Sequence, residues 1–105
     1  MSYKVQLSYE AKQDLRGIYE YITFTLLEPV IALNLRNRIV SKLNTLDEMP
    51  ERYPIYQEEP WKNRGLRRIN IENYSGFYLV AEKSVHVIRI LYSGRDIANI
   101  LKQSD

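Results

Sequence analysis

Apolar and polar residues alternate at the start of the chain and then recur at the spacing of a helix. Between positions 3 and 8 every second residue is apolar, and this period of two predicts a strand with one face toward water. Ser8 is a suitable N-cap and Glu10 places a carboxylate in the first turn, so a helix is predicted from there to about Leu27. Its apolar stripe consists of Ala11, Leu15, Ile18, Ile22 and Leu26.

A second helix is predicted directly after the first. Pro29 fits a first helical turn, because a backbone N–H at that position would make no intrahelical hydrogen bond. Apolar residues then recur at steps of three or four. This spacing predicts two antiparallel helices joined by almost no loop. The second stripe consists of Ala32, Leu35, Ile39, Leu43 and Leu46.

The segment between residues 49 and 65 contains three of the four prolines of the chain. Proline fixes φ and removes a backbone donor, so this segment is predicted to be an extended connection along the surface rather than a helix. Aromatic side chains are expected to hold it to the body of the protein, namely Tyr53, Tyr56 and Trp61.

The last part of the chain shows three runs with strand character, separated by residues that favour turns. Short connections between the runs predict an antiparallel meander. Gly94 ends the last run, and Asp96 is placed to cap a short final helix. The strands are predicted at residues 66–71, 77–82 and 85–92, with turns at 73–76 and 82–84.

The predicted order of elements is β-αα-βββ-α, which places the chain in the α+β class. We expect the helical hairpin to pack on one face of a four-stranded antiparallel sheet. A chain of 105 residues, of which 45% are hydrophobic, has room for one domain, and we assign residues 1–105 to it.

Composition excludes several kinds of chemistry. Without cysteine there is no disulfide, thiolate zinc site or cysteine nucleophile, and with one histidine a metal centre would need carboxylates. We therefore expect no cofactor and no metal. No apolar run approaches the roughly 20 residues of a spanning helix, and the chain begins without an apolar signal run, so we expect no membrane contact and a cytoplasmic location.

Charge is distributed unevenly along the chain. Residues 1–59 carry seven Lys or Arg and nine Asp or Glu, whereas residues 60–105 carry eight and four, so the two parts have net charges of −2 and +4. Residues 61–68 contain four cations and no acid. Such a segment is not expected to bury itself, and its charge favours association with a phosphate-rich or acidic partner.

Several short motifs occur in a fixed order. They are EMPERYP at 48–54, EPW at 59–61, GLR at 65–67, NY at 73–74 with FY at 77–78, and RILYSGRD at 89–96. Together with the opening strand and first helix, they resemble the toxins of the RelE/ParE superfamily over essentially the whole chain. The resemblance implies a helical hairpin on a curved antiparallel sheet. It also implies a small bacterial toxin that arrests growth, stabilises plasmids and forms a hetero-oligomer with a cognate antitoxin that silences it.

The superfamily divides by target, because one branch cuts messenger RNA in the ribosomal decoding site and the other poisons DNA gyrase without being a nuclease. Nuclease members usually carry an arginine where this chain has Tyr78, and a tyrosine or a His-Tyr pair near the C-terminus, which this chain lacks. We therefore prefer gyrase as the target. The candidate target-binding residues are Lys62, Arg64, Arg67, Arg68, Arg89 and Arg95.

A ribosome-dependent mRNA endoribonuclease is the alternative. Cleavage without a metal needs a base, an acid and cations that hold the phosphate. The candidate catalytic residues for this reaction are Arg67, Arg68, Arg89 and Arg95 as cations, with Tyr78, Tyr92 or His86 in proton transfer. A degenerate binding module without toxicity is a third hypothesis, and a neighbouring gene for a small DNA-binding protein with an acidic amphipathic tail would argue against it.

The candidate residues also have ordinary structural explanations. Arg67 and Arg68 point to opposite faces of a strand, so at most one of them lies on a functional surface. Arg89 interrupts an apolar run, so it either faces an open surface or pairs with an acid such as Asp96. His86 is the single histidine of the chain and a candidate general base, but a lone histidine on a strand is commonly just half-buried.

Overall fold

The chain has the α+β arrangement that its hydrophobic pattern predicts. A computed structural model describes residues 2–103. The strands are β1 (Lys4–Leu7), β2 (Arg67–Ile71), β3 (Tyr74–Val80) and β4 (Ser84–Tyr92), and the helices are α1 (Tyr9–Glu20), α2 (Pro29–Asn44), α3 (Trp61–Arg64) and α4 (Ile97–Lys102). The four strands form one sheet in the order β1-β4-β3-β2, with the helical hairpin on one face.

Strand β1 lies at one edge of the sheet and pairs in parallel with β4. The β2-β3 and β3-β4 pairs are antiparallel, which confirms the predicted meander. The expectation of an antiparallel sheet throughout is therefore corrected at β1. Alternating apolar residues identify a strand and its buried face but carry no information about its direction.

Helix α1 begins where it was predicted and ends differently. The Ser8 hydroxyl accepts a hydrogen bond from the Ala11 N–H at 3.0 Å and donates one to the Ile88 carbonyl at 2.9 Å, so the cap also ties the helix to β4. A π-helical turn follows over Tyr21–Thr25, and Leu27 takes a positive φ of 56° that ends the helical path. The chain then reverses directly into α2.

Helix α2 begins at Pro29, as predicted, and the five residues of its apolar stripe are all buried. They pack with the apolar face of α1 and with inward-facing residues of the sheet. The side chain of Tyr78 lies in the same core. The predicted helical hairpin and the face that it buries are thus confirmed.

The other face of the sheet carries a second hydrophobic cluster, which the sequence pattern did not predict. It forms because the short helix α3 and the final helix α4 place apolar side chains on that face. The connection after α2 thus contains a 3-10 turn at Pro50–Arg52 and the helix α3, where an extended segment was expected. The prediction that residues 61–68 cannot bury themselves is therefore wrong for the apolar members of that segment. The cluster consists of Trp61, Leu66, Phe77, Leu91, Ile97 and Leu101.

Of the turn predicted at residues 73–76, only Asn73 lies in a turn, and residues 74–76 belong to β3. The hairpin between β2 and β3 turns instead at Glu72 and Asn73, where Glu72 takes a φ of 55°. Gly76 serves packing rather than a turn, since a Cβ there would lie 3.1 Å from the side chain of Leu43. The turn predicted at 82–84 does separate β3 from β4. Among the helices of residues 2–103, none is long and apolar enough to cross a membrane.

Candidate functional site

Arg67 and Arg68 project to opposite faces of β2, as alternation predicts. The Arg67 guanidinium donates from Nη1 to the main-chain carbonyls of Glu51 at 3.0 Å and Tyr53 at 2.7 Å. Its side chain is only 18% exposed. Arg67 therefore holds the segment after α2 against the sheet, and its Nη1 donors are already occupied.

Arg68 lies on the face that carries the second cluster. Its guanidinium is centred 5.6 Å above the ring of Phe77, and its Nε donates to the Ser75 hydroxyl at 3.0 Å. Ser75 is fully buried and continues the network to Asn70 Oδ1 at 3.1 Å and to the Ser93 hydroxyl at 2.8 Å. The network fixes the orientation of Arg68, so this cation is preorganised beside an aromatic ring.

Helix α3, which contributes Trp61 to the second cluster, carries two more cations. Trp61 is 5% exposed and packs in the same cluster as Phe77, whereas Lys62 and Arg64 remain exposed. The Arg64 guanidinium lies 4.9 Å from the centre of the Trp61 ring. Stacking of this kind holds a cation over an aromatic face while its charge stays available to a partner. We call the region formed by Arg64 and Arg68 on these rings, together with the exposed Lys62 of α3, the arginine-aromatic surface.

Tyr56 borders the arginine-aromatic surface. Its ring meets Phe77 edge-on, with 5.4 Å between centroids. Burial raises the pKa of Tyr56, the carboxylates of Glu58 and Asp96 act in the same direction, and the charge of Arg68 opposes them. The phenol is therefore protonated at neutral pH, and the surface offers hydrogen-bond donors, stacked cations and apolar edges, with the carboxylates of Glu58 and Asp96 nearby.

Arg89 is paired with an acid, but the acid is Asp14 rather than the predicted Asp96. Its Nε and Nη2 donate to the two carboxylate oxygens of Asp14 at 2.7 and 2.9 Å, and both side chains are largely buried. The hydrogen bond to Asp14 raises the pKa of Arg89. Asp14 also accepts the Ile90 N–H at 2.9 Å, because β1 ends at Leu7 and leaves this edge of β4 to α1. This pair joins α1 to the sheet.

Tyr78 does not lie on an accessible strand surface, which corrects the role considered for it. Its side chain is 0% exposed, and its hydroxyl donates to the Pro50 carbonyl at 2.6 Å. Burial raises the pKa of Tyr78 to about 12. In this position the phenol can neither stack on a base nor exchange a proton with a substrate.

The remaining candidates lie apart from the arginine-aromatic surface. His86 is exposed on β4, and within residues 2–103 its ring bonds only the Ser84 hydroxyl, at 2.8 Å. Tyr92 is 49% exposed and meets Tyr74 edge-on at 5.8 Å, on the helix side of the sheet. Arg95 is exposed just after β4. The structure therefore brings Tyr92 together with Arg95 but separates both, and Tyr78 and His86, from the cations of the arginine-aromatic surface.

Metal ligands do not cluster in the described part of the chain. No group of three or more His, Cys, Asp or Glu side chains among residues 2–103 is arranged to hold an ion. The chemistry available at the arginine-aromatic surface is thus ionic and aromatic contact with a partner.

The family model described as the ParE toxin of the type II toxin-antitoxin system parDE matches residues 5–97. Curated protein sequences gave no significant match.

Similar solved structures include a chromosomal ParDE toxin-antitoxin system from P. aeruginosa, with 23% identity, coverage of 87% of this chain and 96% of that one, and a TM-score of 0.73. The toxin-antitoxin complex RelBE2 from Mycobacterium tuberculosis shows 18% identity, coverage of 88% and 99%, and a TM-score of 0.61. The archaeal RelE-RelB complex from Pyrococcus horikoshii shows 17% identity, coverage of 90% and 99%, and a TM-score of 0.59. At these identities the likeness shows a shared fold.

Proposed function

This chain belongs to the ParE toxin family of type II toxin-antitoxin systems, and we propose that it arrests growth by binding DNA gyrase without cutting RNA. A cognate antitoxin neutralises it in a hetero-oligomer. The three similar structures named above all come from toxin-antitoxin systems, which supports a partner of this kind. The site of action is the cytoplasm, and the biological result is growth arrest that stabilises a plasmid.

The observation that carries this proposal is the dispersal of the groups that RNA cleavage needs. A metal-free nuclease must place a base and an acid within hydrogen-bond reach of a phosphate that cations hold. Here Tyr78 is buried, Tyr92 lies beside Arg95 but on the opposite side of the sheet from Arg68, and the His86 ring hydrogen-bonds only Ser84 within residues 2–103. The arrangement is better suited to binding than to proton transfer.

The arginine-aromatic surface is the proposed contact with gyrase. Arginine, tryptophan and tyrosine dominate the energetic centres of protein interfaces, where a stacked side chain loses little freedom on binding. Arg64 rests on Trp61 and Arg68 on Phe77, so both cations are held in place before a partner arrives. Lys62 and Arg95 add exposed positive charge that speeds the encounter with an acidic or DNA-bearing target.

A supercoiling assay with purified gyrase and plasmid tests the proposal. The wild-type chain should inhibit supercoiling or trap cleaved DNA. Arg68→Ala should weaken this effect by about 30-fold, the factor expected when a central interface residue is lost. Arg38→Ala is the matched control, because it also removes one positive charge but from an exposed pair with Glu72, and it should behave like the wild type.

Programmed ribosomes provide the opposing test. We expect the message to remain uncut at toxin concentrations that inhibit gyrase. Codon-phased cuts that disappear in Arg95→Ala would instead establish the nuclease, with Arg95 on the phosphate. Absence of both activities in a correctly folded preparation would support the non-toxic binding module.

A further inference from the structure

A second candidate site lies on the helix side of the sheet, away from the arginine-aromatic surface. It is a cleft of about 610 Å³ between α1 and the adjoining ends of β3 and β4. Pockets of this size hold small ligands or the anchoring side chains of a partner. We call it the tyrosine cleft, after the three rings among its principal lining residues, which are Gly17, Ile18, Tyr21, Tyr74, Tyr92 and Arg95.

Gly17 keeps the wall of the tyrosine cleft open. It lies within α1, where glycine is less favourable than alanine because it loses more conformational freedom on folding. A Cβ built on Gly17 would meet no atom within 4 Å, so neighbouring residues do not require a glycine here. A larger side chain at this position would extend into the cleft and occupy it.

The opposite wall is held in shape before any ligand binds. The ring of Tyr92 packs over Gly94, since a Cβ at Gly94 would lie 2.6 Å from Cε2 of that ring. Tyr92 also meets Tyr74 edge-on at an interplanar angle of 71°. Aromatic rings prefer such edge-to-face partners, so a third ring entering the cleft finds preformed faces and edges.

The mouth of the cleft is positively charged. Asp14, at its back, is neutralised by its bidentate pair with Arg89. Arg95, at the mouth, is exposed and forms no side-chain ion pair within residues 2–103. The cleft therefore complements an aromatic group that carries a carboxylate beside it.

The cleft also continues into an exposed apolar surface at the tip of the helical hairpin. Tyr21 is 56% exposed and belongs to both regions, while Phe24 and Leu27 beyond it are 69% and 76% exposed. Adjoining apolar side chains of this size mark a contact with another macromolecule. A polypeptide that fills the cleft can cover this tip at the same time.

We propose that the tyrosine cleft receives an aromatic side chain of the antitoxin, with a neighbouring carboxylate of the antitoxin on Arg95. This inference rests on the proposed toxin-antitoxin function. A polypeptide fits better than a nucleic acid, because among the described lining residues Arg95 is the one cation without an ion-pair partner near Tyr21 and Tyr92, whereas nucleotides are held by several cations. The apolar tip beside the cleft also favours a polypeptide.

Binding of N-acetyltryptophan, followed by NMR on the full chain, tests the cleft directly. We expect saturable binding in about the millimolar range, as for a fragment of this size. N-acetyltryptophanamide, which lacks the carboxylate, and the Arg95→Ala variant should each weaken binding by about two- to fivefold. Gly17→Leu should abolish binding, whereas Glu20→Leu, on the same helix but outside the cleft, should leave it unchanged.

Adenosine monophosphate serves as the competing probe. If it binds the cleft more tightly than N-acetyltryptophan, or if Gly17→Leu binds N-acetyltryptophan normally, the proposal is overturned. Should Gly17→Leu fail to fold, Tyr92→Ala removes one wall instead and must also lose the probe.

A second experiment measures the affinity of this chain for the antitoxin that is encoded beside it. Gly17→Leu should still arrest growth but bind the antitoxin at least tenfold more weakly, and unchanged affinity would refute the proposed occupant. If instead the proposed function is wrong, the wild-type chain will not arrest growth, while N-acetyltryptophan will still bind the cleft.

Discussion

Replacing Tyr78 with phenylalanine removes one buried hydroxyl and little else. That hydroxyl donates to the Pro50 carbonyl at 2.6 Å in a position that is 0% exposed. The ring remains in place, so no large cavity forms, but the carbonyl loses its donor. At neutral pH we expect the free energy of unfolding to fall by about 1 to 2 kcal/mol.

The same hydroxyl should make the wild-type protein sensitive to alkali. Burial raises the pKa of Tyr78 to about 12, from the ordinary value of 10.0. Because the folded state holds this proton more tightly than the unfolded state, the stabilisation is complete below about pH 10 and is lost as the pH rises through about 12. The loss is about 1.4 kcal/mol at about pH 11 and approaches about 2.7 kcal/mol at still higher pH.

Urea unfolding of both proteins across this range measures the effect. The wild type should be more stable at neutral pH, the two curves of stability against pH should cross near about pH 11, and Tyr78→Phe should be more stable above it. Tyr56 and Tyr74 are present in both proteins, so their titration cancels in the difference. Tyr9→Phe, at a position 71% exposed, is the control and should show no crossing. A difference between wild type and Tyr78→Phe that stays constant with pH would refute the reasoning.

Three further predictions concern the core, the buried ion pair and the antitoxin complex. Ile39→Ala should lower the free energy of unfolding by about 2 to 5 kcal/mol by leaving a cavity under α2, and an unchanged melting temperature would contradict the packing of that helix. Arg89→Ala should cost about 3 kcal/mol because Asp14 stays buried without its cation, and strictly additive losses in a double-mutant cycle with Asp14→Ala would argue against the pair. The antitoxin complex should persist in about 0.5 M salt, because a chain that orders on binding must bury apolar area, and its dissociation there would indicate mainly electrostatic binding.

The helical part of the fold could be predicted because a stripe at steps of three or four specifies which face is buried. Leu35 and Ile39 were identified in this way, and both are buried. A turn was predicted at residues 73–76 because Asn, Ser and Gly favour turns. Local composition does not distinguish a glycine needed for its φ from one such as Gly76, which makes room for Leu43 across the core.

The candidate site was less predictable because its contacts join distant parts of the chain. Asp14 and Arg89 are 75 residues apart, and Asp96 was considered instead because it is close in sequence. A usable signal did exist in the helix. Asp14 lies three residues after Ala11, at the border of the buried face of α1, where a partly buried carboxylate needs a cation.

The segment between α2 and α3 is held mainly through its main-chain oxygens. Tyr78 donates to the carbonyl of Pro50, and Arg67 donates to those of Glu51 and Tyr53. A carbonyl oxygen is present whatever side chain the residue carries, so these bonds place few demands on the identity of exposed residues such as Glu51 and Glu58. Substitutions can therefore change the exposed side chains of this segment while its path over the sheet is preserved, so its surface chemistry is free to vary independently of the fold.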